Sequence, residues 1–182
     1  MIIKVQDVLY VSFDFNEIDD NIIVSYDKNN NTLFQTDFYE IEKFYNLTSE
    51  KFIKKTDKSI HLLTKISKDS SLYNLVSFLD NKIELLNKNN NKINKMLKTN
   101  NNDIYIKFKI SKDKTIVFND EKLVKIKEIT DFYKILNLGC SYRIMFNIEF
   151  YNYNDNIGFI FKVKKLQIKN NENEINVVKF TD

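Results

Sequence analysis

The side chains from which catalysis or metal binding is usually built are scarce in this chain. It has one histidine, His61, and one cysteine, Cys140, and a lone imidazole and a lone thiol cannot assemble a thiolate or imidazole metal cluster. His61 lies between Ile60 and Leu62 and Cys140 beside Gly139. Nothing in their spacing pairs them as nucleophile and base. The two glycines, Gly139 and Gly158, stand too far apart to build a phosphate-cradling loop or a dinucleotide fingerprint. The carboxylates Asp14, Glu17, Asp19 and Asp20 are close enough in sequence to hold a divalent metal for nuclease chemistry, but they read first as a solvated turn. The residue types therefore point away from an enzyme, and no metal or cofactor is expected.

Lysine interleaved with aromatic residues is abundant instead. In residues 104–110, IYIKFKI, strict alternation sets Ile104, Ile106, Phe108 and Ile110 on one face and Tyr105, Lys107 and Lys109 on the other. Residues 139–169 read as two long strands joined by an Asn/Asp turn. On the first, Tyr142, Ile144, Phe146, Ile148 and Phe150 share a face and are expected in the core, while Arg143, Met145, Asn147, Glu149 and Tyr151 face outward. The doublet Lys164-Lys165 breaks the alternation of the second strand and signals a bulge. Cations that follow phosphates and flat rings that stack on unpaired bases are what single-stranded nucleic acid requires. The candidate ligand-binding residues are Tyr105, Lys107, Lys109, Arg143, Tyr151, Tyr153, Lys162 and Lys164, with Lys54 and Lys55 as flanking cations. A half-solvated sheet carrying lysines for solubility would show the same pattern at any one of these positions.

The elements that must position these residues are mostly short strands. Strands are expected over 2–13 and 22–26, joined by a polar turn at 19–21, with a further turn at 27–32 made of Asn and Asp, which tolerate left-handed geometry. Residues 33–45 are ambiguous: Phe38, Ile41, Phe44 and Tyr45 have helical spacing, which puts a short helix slightly ahead of a strand. Strands follow at 51–56 and 60–66. A helix over 70–86 has Ser70 or Ser71 as N-cap and a stripe of Leu72, Leu75, Val76, Leu79, Ile83 and Leu86. The Asn/Lys segment 87–102 reads as a mobile connection. Turns at 111–114 and 119–120 frame strands at 115–118 and 123–126, a short helix begins at Thr130-Asp131 and Gly139 suits its end. The tail 170–182 frays or adds a last strand.

Composition bounds the rest. The chain has 182 residues, 43% of them hydrophobic, and a formal net charge of +3, which fits one folded domain over 1–182 with an N-terminal elaboration at 1–50. The charge is unevenly spread: residues 1–103 carry 14 Lys against 15 acids, and residues 104–182 carry 14 Lys and Arg against 10 acids. Basic excess thus falls in the strand-rich half. One cysteine excludes an internal disulfide framework and suits a reducing compartment. No apolar run approaches a membrane span, and the N-terminus is too polar for a signal sequence. A soluble intracellular protein with no membrane partner is expected.

Three portions of the chain resemble the single-stranded-DNA-binding proteins of large eukaryotic DNA viruses, related to phage-type single-strand binders. They are Phe52-Ile53-Lys54-Lys55-Thr56 with the strand and helix that follow; Tyr105-Ile106-Lys107-Phe108-Lys109; and Gly139-x-x-Tyr142-Arg143 through Phe146-x-Ile148, then Ile157-Gly158-Phe159-x-Phe161-Lys162-Val163-Lys164-x-Leu166-x-Ile168. The family often has a Pro- and Gly-bearing segment where this chain has Asp57-Lys58-Ser59, and a Trp in place of Phe161. The resemblance implies an OB-like five-stranded β-barrel with one long helix and additional N-terminal strands. Turn signals every 8–12 residues support a mostly β barrel or sandwich independently. It also implies a non-enzymatic, largely sequence-independent single-stranded DNA binder acting in viral DNA replication or recombination, in the host cytoplasm or nucleus. Replication proteins and further copies of the chain are admitted as partners. The acidic tail through which phage relatives recruit partners is only weakly matched by residues 172–182. A β-rich viral protein-interaction module and a single-stranded RNA binder are the competing readings.

Overall fold

The computed structural model describes residues 1–18, 21–41, 57–87, 91–136 and 140–170. The expected strand at 51–56, with Lys54 and Lys55, the Gly139 helix end and the tail beyond residue 170 lie outside the described residues.

The N-terminal third is built from short pieces. β1 (Ile2–Lys4) gives way to two single 3₁₀ turns, not to the continuous strand expected over 2–13. β2 (Phe13–Ile18) and β3 (Asn21–Tyr26) then form a separate two-stranded sheet. β4 (Leu33–Gln35) and β5 (Tyr39–Glu40) replace the short helix expected from the spacing of Phe38 and Ile41. The reason is tertiary: both strands are edge partners of a long strand near the C-terminus, and that pairing overrides a weak local preference.

β6 (Ser59–Ile66) leads into α1 (Ser71–Leu86). Ser70 caps the helix, its Oγ accepting the Tyr73 N–H at 3.1 Å, and the stripe of Leu72, Leu75, Val76, Leu79 and Ile83 is buried. The segment expected to be a mobile connection instead forms β7 (Lys92–Asn94) and β8 (Lys98–Asn100). β9 (Asp103–Ser111), β10 (Ile116–Asn119), β11 (Lys122–Val124) and the short helix α2 (Asp131–Ile135) follow, before the hairpin of β12 (Cys140–Tyr153) and β13 (Asn156–Asn170).

That hairpin is the spine of the larger sheet. β12 carries β5 and β4 on its free edge, and β1 lies beyond β4. β13 is shared along its other edge by three parallel partners in succession: β7 at 156–158, β9 at 161–162 and β10 at 165–168. β9 in turn pairs antiparallel with β6 along its whole length and with β8 near its start. Eleven strands thus make one sheet among the described residues, and no ladder joins β6 back to β4 or β5. The five-stranded barrel expected from the resemblance is therefore not what these strands form. The sheet curls without closing by hydrogen bonds, and side chains fill the hollow: Phe146 lies 4.3 Å from Phe161 and 5.2 Å from Phe108 between ring centroids, and the Thr64 and Tyr142 hydroxyls meet at 2.8 Å across the interior.

The alternation that separates core from surface holds. Tyr142, Ile144, Phe146 and Ile148 are buried, Phe150 half-buried, and Ile104, Ile106, Phe108 and Ile110 all buried. The bulge falls where the lysine doublet signals it. Met145 faces Lys165 and Phe146 faces Val163, leaving Lys164 as the extra residue on β13. Nearby, Thr115 donates to the Val163 carbonyl at 2.8 Å and accepts the Ser111 N–H at 3.1 Å, which bridges the gap where β9 leaves β13 and β10 joins it.

Four tight turns are made without glycine. Asp27-Lys28, Asn101-Asn102, Asp120-Glu121 and Asn154-Asp155 each place two consecutive residues at positive φ, between 45° and 69°. This is the two-residue hairpin geometry whose twist matches that of the flanking strands. Among the described residues no helix is long and apolar enough to cross a membrane.

Candidate nucleic-acid interface

Opposed residues on paired strands point to the same side of a sheet, so the outward face can be read from the register. Lys65 on β6 and Lys98 on β8 both stand opposite Tyr105 on β9. Leu63 is opposite Lys107, and His61 is opposite Lys109, which pairs in turn with Lys162 on β13. Tyr151 on β12 is opposite Gly158 on β13. From Tyr105 to Ser111 this stripe runs about 20 Å at the rise of an extended strand.

Two adjoining hollows lie along it. The first, of about 240 Å³, forms at the fork where β9 and β13 separate and the strap of residues 91–100 passes between them. His61, Lys95, Lys98, Lys107 and Tyr151 surround a floor of Met96, Phe159 and Ile160. The second, of about 360 Å³, begins where Lys109 and Lys162 meet and is bordered by Lys58, Lys114 and Lys164, with Asp113 as the acid on its rim. Charge here is lopsided toward cations, while the fork hollow adds an aromatic and apolar surface.

Electrostatics within the groove are tuned by neighbours. His61 lines the fork hollow, and partial desolvation, followed by the charges of Lys107 and Lys109, lowers its pKa from 6.5. Lys162 is engaged by the Glu149 carboxylate, which also accepts from the Asn147 amide at 3.0 Å. Partial burial works to raise the Glu149 pKa, but the Lys162 and Asn147 hydrogen bonds and the charge of Lys164 hold it below its ordinary value. The Tyr105 hydroxyl donates to Asp103 at 3.2 Å, and Asp103 also pairs with Lys65 at 3.1 Å.

Tyr151 owes its place to its partner across the strand. A Cβ at position 158 would meet the Tyr151 hydroxyl oxygen at 2.6 Å and its ring carbons at 2.8 Å. The ring therefore lies over a position that has no side chain, which is a close approach only glycine permits.

Of the residues singled out from the sequence, Tyr105, Lys107, Lys109, Tyr151, Lys162 and Lys164 come together along this stripe. Arg143 does not. It lies further along β12, donating to Gln167 Oε1 at 2.6 Å with its guanidinium 4.8 Å from the Phe38 ring. Tyr153 stands at the hairpin tip, 72% exposed, two residues beyond the fork. Cys140 is buried beside α2, its thiol 3.8 Å from the Ile135 carbonyl, while His61 faces outward on β6. Sequence reasoning missed Lys58, His61, Lys95, Lys98 and Lys114 as members of the groove. His61 carried a usable signal, since it alternates with Leu63 and Lys65 on the outward side of β6; the others sit in turns or in the Asn/Lys segment, where no period marks a face.

No family model matches the chain, and no curated protein matches it. Among solved structures the fold is similar to gp2.5, a single-stranded DNA binding protein encoded by bacteriophage T7, at 12% identity and a TM-score of 0.47, over 76% of this chain and 86% of that one. It is also similar to the single-stranded DNA-binding protein from bacteriophage Enc34: at 8% identity and 0.48 in a C-terminally truncated form, over 90% of this chain and 98% of that one, and at 9% and 0.47 in its complex with ssDNA, over 84% and 91%. Likeness at this level sets no residue of one chain against a residue of another, and the groove stands on its own chemistry.

Proposed function

We propose that the chain is a non-enzymatic, largely sequence-independent single-stranded DNA-binding protein that acts in viral DNA replication or recombination inside the infected cell. The observation that carries this reading is the outward stripe, about 20 Å long, whose two hollows are lined by Lys98 and Lys107 at one end and Lys58, Lys109 and Lys164 at the other, with Tyr151 beside an apolar floor. Lysines act as mobile point charges that follow a phosphate backbone without reading bases. Tyr151 and Tyr105 supply rings on which any base can stack. The groove lies on the outer face of a curled sheet, which suits a flexible single strand.

Anisotropy titration of a fluorescein-labelled oligo(dT) at several salt concentrations tests this. Nanomolar to micromolar affinity that falls steeply with salt is expected, with a slope in log K against log salt of about −0.7 for each phosphate neutralised on a single strand. Absence of binding at low salt would overturn the reading. A matching oligo(rU) arm measures the preference between sugars, and a tighter RNA complex would replace DNA with RNA as the ligand.

A further inference from the structure

Among the described residues Asp80 is the one buried carboxylate, 4% exposed and placed in the C-terminal half of α1. No cation among the described residues lies within hydrogen-bonding distance of it. Its two oxygens are used on consecutive backbone donors: Oδ1 accepts the Met96 N–H at 2.8 Å and Oδ2 the Leu97 N–H at 3.1 Å. Those two amides lie between β7 and β8, in the part of the strap that has no strand partner.

Asp80 does not act alone on the strap. Glu84 pairs with Lys95 at 2.6 Å, and Asn87 both accepts the Asn91 N–H at 2.9 Å and donates to the Asn91 carbonyl at 2.8 Å. Positions 80, 84 and 87 share one helix face, so α1 has an apolar stripe for the core and a polar stripe for the strap. The Glu84 to Lys95 pair is about half exposed on both sides and adds little. Asp80 is the contact that water cannot replace. Burial raises its carboxyl pKa above the ordinary value, and the two amides, with Lys95 and Lys98, offset only part of that rise.

The amides that Asp80 holds are flanked by Lys95 and Lys98, both of which line the fork hollow together with Lys107 and Tyr151. We infer that Asp80 is a positioning residue for the groove: it locks the strap to α1 so that Lys95 and Lys98 stand over the fork, and strand binding there depends on a carboxylate that never touches the ligand. The inference rests on the nucleic-acid reading of the same groove and adds to it the device that forms one wall.

The test is a double-mutant cycle on the full chain, read by oligo(dT) anisotropy across salt, with hydrogen exchange of the amides at 92–98. Asp80→Asn keeps the shape but sets an NH₂ against one of the two N–H donors. It is expected to speed exchange across the strap, to lower the salt slope by about 1.4, the value of two phosphate contacts, and to weaken binding at 0.1 M salt by roughly an order of magnitude. Lys95→Ala with Lys98→Ala should do the same to binding, and Asp80→Asn added to that pair should change affinity by less than about twofold. Equal losses in both backgrounds would show that Asp80 acts through the fold at large and would overturn the proposal, as would a loosened strap with unchanged affinity. If Asp80→Asn does not fold, Asp80→Glu, which keeps the charge but displaces both acceptor oxygens, takes its place in the same cycle with the same expected and overturning results, and an unchanged salt slope in the lysine pair removes the function assigned to the strap. A wild-type chain that binds no oligonucleotide sinks the groove itself, whereas a binding wild type with a null cycle sinks only this inference.

Discussion

Tyr151 can stand over β13 only because position 158 carries no side chain. Gly158→Ala is therefore expected to swing the ring aside with little effect on stability, since the atoms it would meet are the far end of a rotatable side chain. Tyr151→Ala should weaken oligo(dT) binding by about 1–3 kcal/mol, the worth of one stacked base. Gly158→Ala should reproduce most of that loss, and the two together should be no worse than either alone. Affinity measured for the three variants beside their thermal midpoints checks this; additive losses would place the ring outside the binding path. His61 supplies a second prediction at this scale. Its pKa lies below 6.5 in the free protein because of desolvation and then Lys107 and Lys109, so folding favours the neutral ring. That contribution to stability is present above pH 6.5 and is lost as pH falls through the lowered value. A phosphate chain brought alongside reverses the field, so binding takes up protons and tightens as pH falls from about 7 toward 5.5. His61→Gln should flatten that profile. A wild-type affinity that does not change across the window would show that no phosphate passes beside His61.

At the scale of elements, the tight turns show what the chain does with almost no glycine. Residues in the left-handed region cost on the order of 1–2 kcal/mol unless they are Gly, with Asn and Asp the mildest. Glu121, at φ 69°, has neither advantage. Glu121→Gly should raise stability by about 1 kcal/mol, seen as a higher urea midpoint at unchanged slope; a lower midpoint would mean that the side chain is held by something other than its backbone. Three of the four turns were legible, because Asn and Asp clusters punctuate the alternating segments at 27–32, 119–120 and 154–155; the fourth, at Asn101-Asn102, lies in the segment read as a mobile connection. The helix over 70–86 and the facing of β9 and β12 were legible for the same reason, a clean period bounded by a cap or a turn. The strap was not. Its apolar residues Ile93 and Leu97 keep the spacing of the α1 stripe and so point to a longer helix, whereas what orders it is a carboxylate 16 and 17 positions away from the amides it holds, which in sequence is one polar residue within a helix. β4 and β5 were misread because their order comes from pairing with β12 across about a hundred residues, a contact local pattern cannot show.

For the whole molecule, the interior is held by rings gathered from distant strands. Phe146 lies within 5.8 Å, centroid to centroid, of Phe34 on β4, Phe108 on β9 and Phe161 on β13, and is fully buried. Phe146→Ala should cost about 3–5 kcal/mol in a chemical-denaturation experiment, because no single element can move in to fill the space between three others. A loss below 1 kcal/mol would mean the hollow is not packed as described. The candidate groove was half legible at this scale: alternation showed which lysines and tyrosines face outward, but not that β13 would be shared by β7, β9 and β10 in turn. That sharing decides which cations meet, and it leaves Arg143 to one side. It also has a consequence for how the protein is made. β4 and β5 wait on β12, and β7, β9 and β10 wait on β13, so most of the sheet is synthesised before the two strands it must lie against. At roughly 5–20 residues per second, the nascent chain carries open strand edges for seconds until the last hairpin leaves the ribosome. A message cut short before residue 156 yields sticky edges with nothing to cover them, and a cell making this protein gains a folded product only from transcripts read to the final hairpin.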